Sequence, residues 1–129
     1  MSKIVAIGLV ATGLCLSPLA ALAQPACSSP AFEARLVAAM TKGEAQLKSM
    51  PAGKIADYAR CYARTACASL SKTEFEMYAL SQISSYGDDK AEKEYLARMK
   101  RDRQANNSAG DKLPPNALEA RCKRETGVK

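Results

Sequence analysis

Cysteine is the one side chain here that recurs in an arrangement fit for covalent chemistry. The chain has five: Cys15, Cys27, Cys61, Cys67 and Cys122. Cys61 and Cys67 share the stretch Asp57-Tyr58-Ala59-Arg60-Cys61-Tyr62-Ala63-Arg64-Thr65-Ala66-Cys67. A redox-active pair wants C-x-x-C, and five residues separate these two. A zinc site wants histidine or close cysteine pairs, and the chain has no histidine. Structural disulfides among Cys27, Cys61, Cys67 and Cys122 are what the pattern implies.

Geometry narrows the pairing. On one unbroken helix Cys61 and Cys67 sit roughly 9 Å apart along the axis. Bridged Cα atoms are no more than about 7 Å apart. The spacing therefore favours both central cysteines reaching outward, one to Cys27 and one to Cys122. The rival pairing, Cys61 with Cys67 and Cys27 with Cys122, requires the helix to break at Thr65.

Other chemistry finds little support. Nucleophile–base constellations usually need histidine. Ser69-Leu70-Ser71-Lys72 is not read as a Ser–Lys pair. Glu74 and Glu76 are two apart and diverge on a helix, so they do not form the facing carboxylates of a glycosidase. Asp88 and Asp89 read as helix-start residues. No glycine-rich phosphate loop is present. The expectation is a protein that is not an enzyme, with no catalytic residue, no metal and no cofactor.

The elements that must position these residues are helices. In the central stretch Ile55, Tyr58, Ala59, Tyr62 and Ala66 share one face, and Asp57, Arg60 and Arg64 share the opposite one. Upstream, Ser29 and Pro30 open a helix carrying Phe32, Leu36, Val37, Met40 and Leu47, with a kink expected at Gly43. Met50-Pro51-Ala52-Gly53 is a turn. Ser71 and Glu74 form a capping box before Phe75, Ala79, Ile83 and Tyr86. Gly87 stops that helix, and Asp88 and Asp89 start another bearing Ala91, Tyr95, Leu96 and Met99. Asn106 to Gly110 reads as a polar loop, within 104–113. Asn116 is read as the cap of a last short helix carrying Leu118 and Cys122, followed by a frayed end. The fold class is all-α, a small disulfide-crosslinked bundle of four to five short helices.

Met1 to Ala23 has the form of a cleaved signal peptide: Lys3, an apolar run to Leu19, and Ala21-Leu22-Ala23 as the cleavage site. The run is short of the roughly 20 residues of a membrane span. The mature chain then covers 24–129 as a single helical domain without Cys15, and its expected location is periplasmic or secreted. No stable membrane anchor is expected.

Charge is unevenly placed. Residues 24–89 carry seven basic and seven acidic side chains, and residues 90–129 carry eleven basic and six acidic. Arg98, Lys100, Arg101 and Arg103 form one cluster; Arg121, Lys123 and Arg124 form a second. Together they are the expected binding patch, for an acidic protein or an anionic envelope component. Export makes nucleic acid an unsuitable partner. Arg60 and Arg64 are expected to matter less, because Asp57 balances part of their charge. The function expected is binding of a macromolecular partner, as an inhibitor, immunity protein, secretion accessory or stress chaperone. The alternatives are a carrier of an apolar ligand, with Phe32, Phe75, Tyr58 and Ile83 lining its cavity, and an enzyme of unfamiliar type. The sequence does not set the oligomeric state.

Overall fold

A computed structural model describes residues 26–129. The expected signal peptide, residues 1–23, lies wholly outside them. Five helices follow in order: α1 Pro30–Leu47, α2 Ala52–Ser69, α3 Lys72–Ser85, α4 Asp89–Lys112 and α5 Pro115–Thr126. There is no strand among the described residues. The all-helical, two-disulfide architecture is as the sequence implies. None of these helices is long and apolar enough to cross a membrane.

Helix α2 joins the two halves of the bundle. It is amphipathic as its spacing dictates, with Ile55, Tyr58, Ala59, Tyr62 and Ala66 buried and Asp57, Arg60 and Arg64 exposed. It lies against α1 on one flank and α5 on the other; α1 also meets α3, and α3 lies along α4. Helix α2 runs unbroken past Thr65, so its cysteines point outward to other elements. Cys27 is bonded to Cys67 and Cys61 to Cys122, with Cα atoms 5.3 and 5.8 Å apart. The favoured pairing therefore holds, and the helix break that the rival pairing required is absent.

Local signals hold at several helix ends. The capping box at Ser71 is complete: its hydroxyl accepts from the Glu74 N–H, and the Glu74 carboxylate accepts from the Ser71 N–H. Asp88 caps α4 by accepting from the Ala91 N–H at 2.9 Å. Pro30 occupies the first turn of α1. Ser29 does not cap with its side chain, contrary to expectation. Its hydroxyl donates instead to Glu76 at 2.7 Å, while its carbonyl accepts from Phe32 and Glu33. Pro114, not Asn116, precedes the first turn of α5.

Three further expectations are overturned. The polar segment 104–113 is not a loop: α4 continues to Lys112, with its only non-helical backbone at Asp102. Ala109 is buried there, Tyr95 donates to Asn106 at 3.0 Å, and Ser108 and Lys112 both reach Glu74. These tertiary contacts outweigh the weak helix propensity of Asn, Ser and Gly. The end of the chain is docked, since Gly127 closes α5 in the left-handed conformation and Val128 is buried. Finally, Gly43 produces no break in α1. It makes room for Tyr86, because a Cβ there would stand 2.1 Å from Tyr86 Cδ1.

Gly43→Ala sets two effects against each other. Helix propensity favours alanine by about 1 kcal/mol. Displacing the Tyr86 ring from its packing costs about 1–3 kcal/mol, and the Tyr86 hydrogen bond to Glu44 is lost as well. The variant should therefore be less stable than the parent in urea titration. Combining it with Tyr86→Ala should cost less than the sum of the two single changes.

Candidate functional site

The seven basic residues singled out by charge density differ in how far the fold engages them. Arg98 is structural. Its side chain is 17 % exposed and donates to Glu76 at 2.9 Å and to Asp102 at 3.2 Å, while its guanidinium lies over the Phe32 ring. Arg101 pairs with Asp102, Arg121 with Glu125, and Lys123 with Glu119. Lys100, Arg103 and Arg124 are exposed and form no ion pair among the described residues.

Glu76 explains why Arg98 is held. This carboxylate is buried and accepts from Ser29, Lys72 and Arg98. Burial alone would raise its carboxyl group, but those hydrogen bonds prevail and keep it below the usual range. Glu74 is held down to about 2 by hydrogen bonds from Ser108, the Ser71 N–H and Lys112. The two carboxylates do diverge, as their spacing implies, and each has its own set of donors. At Asp102 the Arg101 hydrogen bond, reinforced by Arg98, likewise holds the carboxyl below its ordinary value.

What the fold does bring together was not evident from charge runs. Arg60 and Arg64, one turn apart on α2, share an open groove of about 280 Å³ with Arg121 of α5. The groove flanks the Cys61–Cys122 bridge, and Asp57 and Glu125 complete its walls. Asp57 takes Arg60 at 2.6 Å, and Arg64 has no carboxylate partner among the described residues. A second, more apolar groove lies on the α1 side, lined by Pro30, Glu33, Ala34, Val37 and Ala38 and again by Arg60 and Arg64. The i, i+4 spacing of the two arginines, read together with a Cys61–Cys122 bridge, was the available signal.

The tyrosines gather in a separate cleft. Tyr58, Tyr62 and Tyr86 line it with Glu44, Gln82 and Glu119. Tyr62 and Tyr78 share a hydroxyl–hydroxyl bond of 2.9 Å. Burial raises all four tyrosine hydroxyls, and the nearby Glu44 and Glu119 carboxylates reinforce this at Tyr58 and Tyr86. Phe32 stacks under Arg35 and Arg98 instead of joining Tyr58, Phe75 and Ile83 around an apolar cavity.

The sequence reading of Ser69 and Lys72 needs correction, because they do stand at S-x-x-K spacing. The fold separates their functional groups. Ser69 donates to the Thr65 carbonyl at 2.7 Å, and Lys72 pairs with Glu76 at 2.6 Å. Among the described residues, no group of three or more acidic or cysteine side chains is arranged to hold a metal ion.

Comparison with known proteins found no matching family model, no matching curated protein and no matching solved structure.

Two predictions follow from the carboxylate networks. Arg98→Gln leaves Glu76 buried with a weakened partner set and should destabilise the fold by about 3 kcal/mol in urea titration. Lys100→Gln should stay within about 0.5 kcal/mol of the parent. Glu74 has a folded pKa of about 2, below its ordinary value. Its stabilising effect is complete above the unfolded pKa, about 4.3, and is lost as pH falls through the folded value. The melting temperature should therefore fall across that acid window, and Glu74→Gln should flatten the fall.

Proposed function

We propose that the protein is an exported, non-catalytic binding protein whose partner presents acidic groups to the arginine groove between α2 and α5. Two disulfides support an oxidising compartment, periplasmic or extracellular. The apolar leader supports export.

The observation that carries this reading is the convergence of Arg60, Arg64 and Arg121 beside a covalent crosslink. The Cys61–Cys122 bridge fixes α5 against α2, so the arginines from the two helices are held in register before a partner arrives. Pre-positioned side chains lose less freedom on binding. Arginine also matches carboxylate and phosphate geometry through its fork of donors. The neighbouring groove on α1 continues from Arg60 and Arg64 onto small apolar side chains. An acidic segment with small apolar residues beside its carboxylates fits both.

The remaining exposed cations, Lys100, Arg103 and Arg124, act in this reading as steering charge. They raise the encounter rate without adding much affinity. Arg98 is excluded from that role by its bonds to Glu76 and Asp102.

The test uses immobilised full-length protein and cell-envelope extract. At low salt the parent should retain a partner that elutes as salt is raised. The triple variant Arg60→Gln, Arg64→Gln, Arg121→Gln should lose most of that retention. Its stability should change little, since exposed ion pairs contribute about 0–1 kcal/mol. Lys100→Gln, Arg103→Gln and Arg124→Gln together should slow association and leave dissociation unchanged. No salt-sensitive partner, or equal retention by the triple variant, would remove the groove from consideration.

A further inference from the structure

The tyrosine cleft has the chemistry of a second site, opposite in charge to the arginine groove. It is contained within one corner of the bundle, where α1, α2, α3 and α5 meet. Its volume is about 170 Å³. Pockets for drug-sized ligands run from about 300 to 1,000 Å³, so this one suits a molecule of a few heavy atoms or the end of a longer one.

One polar atom there has no partner. Tyr58 is only 4 % exposed, and its hydroxyl makes no hydrogen bond among the described residues. The other tyrosine hydroxyls all do: Tyr62 with Tyr78, Tyr86 with Glu44, and Tyr95 with Asn106. A buried hydroxyl left without a partner is costly, so an orphan in a cleft calls for a ligand or an explanation. Tyr58 opens onto the same cleft as Glu44 and Glu119.

The electrostatics select the ligand. Glu44 and Glu119 both disfavour a phenolate at Tyr58, which means that their negative potential reaches its hydroxyl. Lys123 answers Glu119 at 2.7 Å. Glu44 accepts from Tyr86 and Ser49 but has no cationic partner among the described residues. One carboxylate charge is thus uncompensated at the cleft. Gln82 also lines the cleft, and its amide oxygen accepts from the Tyr62 hydroxyl at 3.4 Å. The lining carries two carboxylates and three tyrosines, and its one cation, Lys123, is paired with Glu119.

We infer that this cleft binds a small primary ammonium, held by the Glu44 carboxylate and the Tyr58 hydroxyl oxygen. An ammonium group carries three donors and no acceptor, which suits the acceptors present. Tyr58 and Tyr62, whose ring centroids are 6.0 Å apart, both line the cleft and place aromatic side chains beside the cation. An apolar stem would lie on Met40, Met50 and Pro115 at the same cleft. A calcium ion fits poorly, since it takes about 6–8 oxygen ligands and only two carboxylates line the cleft. An anion meets the uncompensated charge of Glu44.

The experiment titrates the intact protein with n-butylammonium chloride at constant ionic strength. The chain contains no tryptophan to mask tyrosine emission, and three of its five tyrosines line the cleft. Saturable binding by calorimetry and by tyrosine fluorescence is expected. Tetramethylammonium, which has no N–H donor, should bind at least tenfold more weakly, and sodium butyrate should not bind. Glu44→Gln should weaken butylammonium binding at least tenfold. Tyr58→Phe should weaken it several-fold, and because that change deletes only an unpartnered hydroxyl, its circular dichroism should match the parent and its melting temperature should be no lower. If Glu44→Gln fails to fold, Tyr58→Phe decides the question. Absence of saturation, equal response to butyrate, preference for calcium, or full-strength binding by the Tyr58→Phe variant would each overturn the assignment.

Discussion

The buried carboxylate of Glu76 is the constraint around which the upper part of the bundle is arranged. A charge withdrawn from water must be paired and hydrogen-bonded, or it costs several kcal/mol. Three elements meet that demand at once. Ser29 comes from the entry to α1, Lys72 from the first turn of α3, and Arg98 from the middle of α4. Arg98 then holds Asp102, the residue at which α4 leaves helical geometry. Beyond that bend the helix brings Ser108 and Lys112 to Glu74. Two acidic residues two positions apart on α3 thereby locate α1 and both halves of α4.

The sequence made parts of this visible and concealed others for identifiable reasons. The α2 faces, the capping box and the cysteine pairing follow from periodicity and bond reach, which are local properties. The extension of α4 through Asn106, Asn107 and Ser108 does not. Each of those residues is a poor helix former, and the contacts seen there, Asn106 with Tyr95 and Ser108 with Glu74 on α3, cannot be read from the local sequence. The charge clusters misled for a related reason. Arg98 looks like part of a basic run, yet its main partner Glu76 is 22 residues away on another helix. Arg60 and Arg64 looked partly balanced by Asp57, yet Asp57 reaches only Arg60, and the fold adds Arg121 to the same groove. Net charge along a chain is a poor guide to which charges remain available once it folds.

Helix α5 gives the molecule its division of labour. Its Arg121 side borders the arginine groove, while Glu119 and Lys123 border the tyrosine cleft. Leu118 and Cys122 point between these sides into the core. A twelve-residue helix with a small apolar face would hold its place weakly by packing alone. The Cys61 bridge, Leu118 and the buried Val128 fix it at both ends. The groove and the cleft are therefore coupled to one crosslink although their linings differ in charge.

The two bridges also interleave. One closes the chain from Cys27 to Cys67 and the other from Cys61 to Cys122, so the loops overlap along less than two turns of α2. A single peptide-bond cut anywhere between Cys27 and Cys122 leaves the two pieces covalently tethered. Cutting within the overlap leaves them tethered twice. Where a protease cuts the folded chain, this threading means that a nick in α1, α3 or α4 does not by itself release a fragment. The severed segment stays at high effective concentration beside its packing partners and can settle back. The crosslink pattern thus protects not only the fold but the molecule's integrity after damage.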